Sequence, residues 1–237
     1  MAQALYLDDM KMQEFESEVV SVNDGKYIVL DRTAFYPRSG GVACDTGILT
    51  RYSDGKEFKV IFVGKFKGEI SHEIEEEGLQ QGDRVIGTID WERRYTLMRY
   101  HTAAHILSGV FFNEGNVKIS GNELDTKGGR MDFTLEDFDR AVIESYVDES
   151  NNVIERDLPV EISYISRDEL EKDPDLTKLA VGFPEEIEEV RIVDIKGLDR
   201  QPDGGCHVNS TGEVGKIVLT KMKNKGKNNR RMYFSLE

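Results

Sequence analysis

Two short segments contain three of the four histidines in this chain. His101 and His105 are four residues apart, so on a helix their side chains lie on one face and their imidazoles can bind one ion. His207 follows much later, in a glycine-rich segment whose backbone can turn sharply. Two ligands from a helix and one or two from a distant loop are typical of a catalytic zinc site with a position open to water. The pattern predicts one zinc ion per chain.

The fourth ligand has two candidates near His207. Asp203 precedes this histidine by four residues, and Cys206 is its direct neighbour. A thiolate is the softer ligand and favours zinc, but the side chains of adjacent residues diverge and rarely reach one ion. We therefore predict Asp203 as the fourth ligand and place Cys206 in the pocket lining. If neither binds, the fourth position is open to water or substrate.

The sequence neighbours of His101 and of His72 limit the reactions and roles that these histidines can have. Metalloproteases with paired helical histidines carry a glutamate after the first one, to serve as the base. Thr102 occupies that position here, which disfavours peptidase chemistry. His72 lies in the charged segment Glu69-Ile70-Ser71-His72-Glu73, and we predict that it is a surface residue.

The hydrophobic pattern divides the chain near residue 90. Residues 1–90 alternate apolar and polar side chains in short runs at 18–22, 26–30, 58–62 and 84–89. Turn segments such as Asn23-Asp24-Gly25 and Asp54-Gly55 separate these runs. The pattern predicts a small N-terminal β-barrel or β-sandwich domain, of which we favour the barrel.

Residues 91–237 have a mixed pattern. Helical spacing at 91–112, with Asp90 as N-cap, predicts a helix that carries the histidine pair, and a second helix is predicted at 135–156. Ser166 and Glu169 have the spacing of a capping box at the start of a short helix. Strands are predicted at 116–120, 129–133, 160–165, 190–195 and 216–219. We therefore predict an α+β protein whose second domain is an antiparallel sheet with helices on one side.

Composition and charge exclude several classes. The hydrophobic content of 38% is typical of a folded globular protein. No apolar run has the length of a membrane span, and the N-terminus lacks the pattern of a signal peptide. With only two cysteines, the chain has no disulfide framework, and we predict a cytoplasmic protein.

The net charge of −14 argues against a general nucleic-acid binder, but the charge is unevenly placed. Residues 216–231 contain seven basic residues and no acidic one. Such a run is either a solvated hairpin or a surface that contacts phosphates, and its position after the metal-binding segment favours the second interpretation. Candidate phosphate contacts are Lys223, Lys225 and Lys227. A smaller basic group, Arg93, Arg94 and Arg99, precedes the first histidine pair.

A glycine-rich segment at 31–47 is the remaining candidate. It is consistent with a tight turn between two barrel strands. It is equally consistent with a backbone loop that faces a ligand, since Gly40 and Gly41 expose backbone N–H groups and Arg38 offers a charge for phosphate.

The order of these motifs resembles a known family. Residues 35–47, the pair His101 and His105, and residues 204–215 together resemble the free-standing alanyl-tRNA editing proteins of the AlaX type, and the editing region of alanyl-tRNA synthetase. The resemblance covers nearly the whole chain, and the glycine motif indicates the medium-length form. The family commonly has Cys-x-x-x-His in the second zinc segment, whereas this chain has Asp203 at the cysteine position.

The resemblance implies a trans-editing hydrolase. Its expected substrate is the alanine tRNA wrongly esterified with serine, or with glycine, and its expected cofactor is zinc. A polar group must then read the serine hydroxyl, and the candidates are Thr102, Ser120 and Cys206, of which the resemblance favours Ser120. Two alternatives stay open: a metal-dependent hydrolase of another ester or amide, and an RNA-binding module with a structural zinc.

Overall fold

The computed structural model describes residues 2–135, 139–172, 176, 188–226 and 229–237. The chain separates into two compact units, Met1–Leu97 and Met98–Glu237. The α+β class is confirmed, because one unit holds a closed barrel and the other holds antiparallel sheets with helices. The domain division near residue 90 stays a prediction. In the described ranges, no helix is both long and apolar enough to cross a membrane.

The first unit contains a closed barrel, as predicted, and this barrel has six strands. The strands of the whole unit are β1 Gln3–Ala4, β2 Glu14–Asn23, β3 Tyr27–Leu30, β4 Arg32–Thr33, β5 Gly47–Arg51, β6 Glu57–Phe66, β7 Glu69–Ile74 and β8 Arg84–Ile89, with a 3-10 helix at Leu5–Leu7. Strands β1 and β4 pair with each other outside the barrel. The barrel closes in the order β2-β3-β7-β6-β5-β8. Along β2, Phe15, Ser17 and Val19 are buried while their neighbours are exposed. This two-residue period fills the barrel interior.

The second unit contains antiparallel sheet, as predicted, and this sheet is divided into two separate sheets. Its strands are β9 Lys118–Asp125, β10 Gly128–Thr134, β11 Val160–Ser166, β12 Glu189–Ile195, β13 Asp199–Pro202, β14 Ile217–Asn224 and β15 Arg230–Leu236, with a 3-10 helix at Thr211–Val214. One sheet has the order β14-β15-β10-β9 and the other β11-β12-β13. The alternation within each strand predicts a strand but does not reveal which strands become neighbours, which depends on the connections.

Helix α1, Trp91–Gly115, begins where the sequence predicts. The side chain of Asp90 accepts a hydrogen bond from the Arg93 backbone N–H at 3.2 Å, so this residue is the N-cap. Nearly every side chain from 97 to 111 is buried, including the two histidines. A helix surrounded on all sides places its polar side chains inside the protein, where each needs a partner.

The other two helices differ in how well their starts were predicted. Helix α2, Arg140–Glu155, starts after the predicted residue 135, because Asp139 is extended and caps it by accepting from the Ala141 N–H at 2.8 Å. Leu135 lies outside the helix, and residues 136–138 are outside the described ranges. Helix α3, Arg167–Glu171, has the predicted capping box between Ser166 and Glu169.

Candidate metal centre

Three histidines and one aspartate converge in the second unit. One potential ligand atom from each of His101, His105, Asp203 and His207 lies within 4.8 Å of the others. The Nε2 atoms of His207, His101 and His105 lie 3.1, 3.4 and 3.9 Å from the Asp203 carboxylate oxygens. The three imidazoles are buried, whereas the Asp203 side chain is 20% exposed. The cluster is therefore closed by the histidines and reaches solvent on its aspartate side.

Helix spacing and a glycine contact bring the cluster together. His101 and His105 project from one face of α1, with ring centroids 5.1 Å apart. Asp203 and His207 lie in the loop after β13, and the Gly205 N–H donates to the Asp203 carboxylate at 2.6 Å. A side-chain carbon at Gly205 would lie 2.3 Å from Cε1 of His101. Only glycine allows this loop to approach the helix so closely.

Hydrogen bonds orient two of the three imidazoles. Nδ1 of His105 lies 3.0 Å from the Asp199 carboxylate, and Nδ1 of His207 lies 3.1 Å from the Thr102 hydroxyl. In both rings Nε2 is thereby left for the shared space. Three imidazole nitrogens and one carboxylate oxygen form a donor set that suits a divalent transition metal such as zinc. The residues present therefore fit the predicted ion.

The pKa values of two members of the cluster, Asp203 and His207, are shifted toward the forms that bind a cation. Burial alone would raise the pKa of Asp203, but attraction to His101 and hydrogen bonds from His101 and His207 outweigh it and hold this pKa well below its ordinary value. Burial and repulsion from His101 hold the pKa of His207 well below its ordinary value. At neutral pH Asp203 is therefore an anion and His207 a neutral base, the forms required for coordination.

The other predicted pocket residues lie in different surroundings. Cys206 is buried, and among the described residues the group that could hold a metal contains Asp203 and not this thiol. The Thr102 hydroxyl is engaged with His207 and accepts from the Val208 N–H at 3.3 Å. Ser120 lies in β9 and is exposed. Of the two hydroxyl groups proposed to read a substrate, only that of Ser120 lies on an exposed residue.

The basic run of residues 216–231 divides into exposed lysines and structural arginines. Lys223 and Lys225 are exposed, on β14 and just after it, and Lys227 lies outside the described residues. Arg231 forms an ion pair with Asp132 at 2.6 Å. Arg230 is buried and donates to backbone oxygens at the end of the hairpin. The exposed lysines are therefore better placed than these arginines to contact an anionic partner.

The glycine-rich loop forms a tight turn in the first unit. Ser39 and Val42 pair across Gly40 and Gly41, whose φ angles are 57° and 80°. These left-handed values at both central positions are strained for other residues and explain the two glycines. Arg38, beside the turn, is exposed. The tip therefore presents backbone groups and one guanidinium to solvent.

A buried ion pair between Arg94 and Asp45 anchors this loop. Arg94 is 1% exposed, and its guanidinium donates to both carboxylate oxygens of Asp45 from Nε at 3.0 Å. The same guanidinium donates to the backbone oxygen of Met10 at 2.8 Å. Arg94 thus holds the loop from inside and does not contribute to a basic surface for phosphate.

Sequence reasoning missed two residues and misplaced a third. Asp199 and Gln201 alternate along β13, and both side chains reach His105. The run of three polar residues at 199–201 before the Asp203 segment is the available signal, but it does not identify their partners. His72 is completely buried, so its prediction as a surface residue was wrong. Its ring forms hydrogen bonds with the Thr33 hydroxyl and the backbone oxygen of Ile28. The charged residues around it in the sequence give no indication of these buried contacts.

The barrel unit and the histidine cluster are those of a protein related to aminoacyl-tRNA synthetases. Residues 2–93 match the family model of tRNA synthetases class II (A), and residues 190–233 match that of the threonyl and alanyl tRNA synthetase second additional domain. The chain is 50% identical over 243 residues to the alanyl-tRNA editing protein AlaX-M of Methanosarcina mazei, covering 100% of this chain and 97% of the relative.

Two further relatives are consistent with this assignment. The alanyl-tRNA editing protein AlaX-M of Saccharolobus solfataricus is 40% identical over 239 residues and is covered completely, as is this chain. The alanine–tRNA ligase of Pyrobaculum neutrophilum is 34% identical over 227 residues, which cover 92% of this chain and 25% of the ligase. The chain belongs to the family of alanyl-tRNA editing proteins of the AlaX-M type.

Proposed function

We propose that this protein is a trans-editing hydrolase that deacylates alanine tRNA wrongly charged with serine, and with glycine as a second substrate. The observation that carries the proposal is the group of three buried histidines and one partly exposed aspartate in a chain that is 50% identical to an AlaX-M protein over its full length. A second hydrolytic site is a known remedy where a synthetase pocket rejects a similar amino acid too weakly. Serine differs from alanine by one hydroxyl group and presents this problem.

The proposed cofactor is one zinc ion, held by His101, His105, His207 and Asp203. When bound, zinc supplies polarisation of an ester carbonyl and lowers the pKa of water. The chain itself supplies three imidazoles, which are buried away from solvent, and one carboxylate that is an anion at neutral pH. The partial exposure of Asp203 marks the side from which an ester can approach.

The proposed reader of the substrate side chain is Ser120. Its hydroxyl would accept or donate a hydrogen bond to the serine hydroxyl, and a site built for this bond disfavours alanine because a polar group is left without its partner. The Thr102 hydroxyl already bonds His207, so it is a weaker candidate. We expect Ser120→Ala to reduce the preference for serine over alanine while zinc content is unchanged.

The proposed partner is tRNA, bound through local basic surface despite the acidic chain. The exposed Lys223 and Lys225 face solvent in the second unit, and Lys227 follows them in sequence. Each lysine that neutralises a phosphate steepens the salt dependence of binding. Reversal of these three lysines to glutamate should weaken tRNA binding and flatten its salt dependence. For a charge-matched comparison, reversal of Lys223 and Lys225 alone is set against reversal of the exposed Lys65 and Lys67 in the first unit.

The glycine-rich turn is the proposed second contact with tRNA. Arg38, Gly40 and Gly41 lie at an exposed tip that is anchored from inside, and the tip carries no acid, base or nucleophile suited to ester hydrolysis. We therefore assign it to tRNA recognition and not to the chemical step. Arg38→Ala should raise the KM for misacylated tRNA and leave kcat nearly unchanged.

Deacylation of alanine tRNA charged with serine, glycine or alanine is the decisive experiment. The expected result is rapid hydrolysis of the serine ester, slower hydrolysis of the glycine ester and sparing of the alanine ester. Activity should disappear with a chelator, return with zinc, and be absent from His105→Ala. Hydrolysis that persists in zinc-free protein would overturn the metal assignment, and equal rates on unrelated tRNAs would overturn the tRNA assignment.

One observation favours a second candidate, an RNA-binding module with a structural zinc. Four protein ligands are typical of closed structural sites, and the cluster offers four. This candidate predicts tRNA binding without deacylation, together with unfolding of the second unit when zinc is removed. The same chelator experiment, followed by circular dichroism, therefore separates the two functions.

A further inference from the structure

The imidazole of His105 is backed by a hydrogen-bonded pair of residues, Asp199 and Gln201, that lies outside the set of proposed metal ligands. Asp199 is 2% exposed, and its carboxylate lies 3.0 Å from Nδ1 of His105. The amide of Gln201, which is also buried, donates to the same carboxylate oxygen at 2.9 Å. The Gln201 amide nitrogen also lies 3.1 Å from Nδ1 of His105. Because this amide donates to the carboxylate, and a carboxylate only accepts hydrogen bonds, we assign the proton between Asp199 and His105 to Nδ1 of the imidazole.

The fold is arranged to make this contact. Asp199 and Gln201 are two residues apart in β13, so they share one face of the strand, while Arg200 between them pairs with Asp194. One turn after His105, a side-chain carbon at Gly109 would lie 2.8 Å from Leu198 Cγ and 3.1 Å from Asp199 Cβ. A glycine at this position of α1 therefore allows the helix to approach the start of β13.

The two neighbouring histidines provide a comparison within the cluster. His207 also has a partner at Nδ1, but it is the neutral hydroxyl of Thr102. Nδ1 of His101 is buried without a hydrogen-bond partner. Of the three rings, His105 alone is backed by an ionised group among the described residues. A carboxylate behind a ligating histidine increases the basicity of the ring and fixes its orientation.

We propose that Asp199, supported by Gln201, is a positioning residue that holds His105 as the Nδ1–H tautomer with Nε2 directed at the metal. The inference rests on the metal site of the proposed function and extends it to residues outside the ligand set. Asp199 also supplies a second carboxylate to a buried site that takes up a dication, so that Asp199 and Asp203 together balance its charge.

The test compares the zinc affinity of the full-length wild-type protein with that of Asp199→Asn. The change keeps the shape of the side chain and removes the charge, and zinc affinity is measured by competition with a chromophoric chelator. Loss of such a supporting group typically weakens metal binding by about 10-fold to 100-fold. Asp194→Asn removes a carboxylate from the adjacent strand, where it pairs with Arg200, and is the matched control with unchanged affinity.

A second readout depends neither on activity nor on bound zinc. Ring nitrogen shifts of the zinc-free wild-type protein should show His105 as the Nδ1–H tautomer, and Asp199→Asn should populate both tautomers because an amide can also donate. Gly109→Ala should lower zinc affinity too, by pushing β13 away from α1. Circular dichroism verifies that each variant is folded.

The outcomes separate this inference from the proposed function. If folded Asp199→Asn binds zinc as tightly as the wild type, or if His105 carries its proton on Nε2, the positioning role is overturned while the metal site stands. If the wild-type protein binds no zinc, the metal site and the positioning role are both overturned.

Discussion

The buried imidazole of His72 should make the stability of this protein fall in mildly acidic solution. The ring is completely buried in the barrel unit, and its Nδ1–H donates to the backbone oxygen of Ile28 at 2.9 Å. Its Nε2 lies 2.9 Å from the hydroxyl of Thr33, which itself accepts from the Phe35 N–H at 3.1 Å. A proton on Nε2 would therefore face a hydroxyl that already has a donor directed at it.

The size of the effect follows from the pKa of the ring. Burial lowers the pKa of His72 from 6.5 to about 4, and the hydrogen bond to Ile28 only partly opposes this. In that pH interval the unfolded chain binds a proton and the native protein does not, so stability is lost as the pH falls from 6.5 to about 4. At about 1.4 kcal/mol per pKa unit, the loss amounts to roughly 3 kcal/mol.

The assay is urea unfolding of the wild-type protein and His72→Asn at several pH values across this interval. Asparagine can still donate to Ile28 but does not titrate, so it costs some stability at neutral pH and removes the contribution of this ring to the pH dependence. Because other groups also titrate, the difference between the two proteins is the measured quantity. Proton NMR of the ring gives its pKa directly. Titration of His72 near its ordinary value, or parallel pH profiles for the two proteins, would refute the reasoning.

Two further substitutions test the packing of the loops. Arg94→Leu should destabilise the protein by about 3–5 kcal/mol in urea unfolding, because it leaves the Asp45 carboxylate buried and without its cation. When Asp45 is replaced as well, the loss of stability should be smaller than the sum of the two single losses, and strictly additive losses would contradict the pairing. Gly205→Ala should lower zinc affinity in chelator competition, since the new methyl group would collide with the His101 ring. Gly204→Ala is the control and should leave the affinity unchanged, because no atom lies within 4 Å of a side-chain carbon at that position. Equal effects of the two substitutions would contradict the close approach of this loop to the helix.

Local patterns in the sequence are sufficient for much of the architecture. The alternation in β2 and β8, the capping box at Ser166 and the helical spacing of His101 and His105 are confirmed because each depends on residues within a few positions of one another. These patterns predict the α+β class and place two metal-binding side chains on one helix face.

Contacts between distant residues decide the remainder. Asp199 and His105 are 94 positions apart, and His72 is 39 positions from Thr33, so no periodic pattern connects the members of either pair. The loop after β13 brings Asp203 to the histidines, and side-chain divergence at adjacent positions was the only ground on which the sequence favoured this carboxylate over Cys206. Side-chain chemistry and short-range spacing thus predict which groups can bind a metal. The packing of strand against helix determines which groups meet, because burial and hydrogen bonding are properties of neighbours in space and not in sequence.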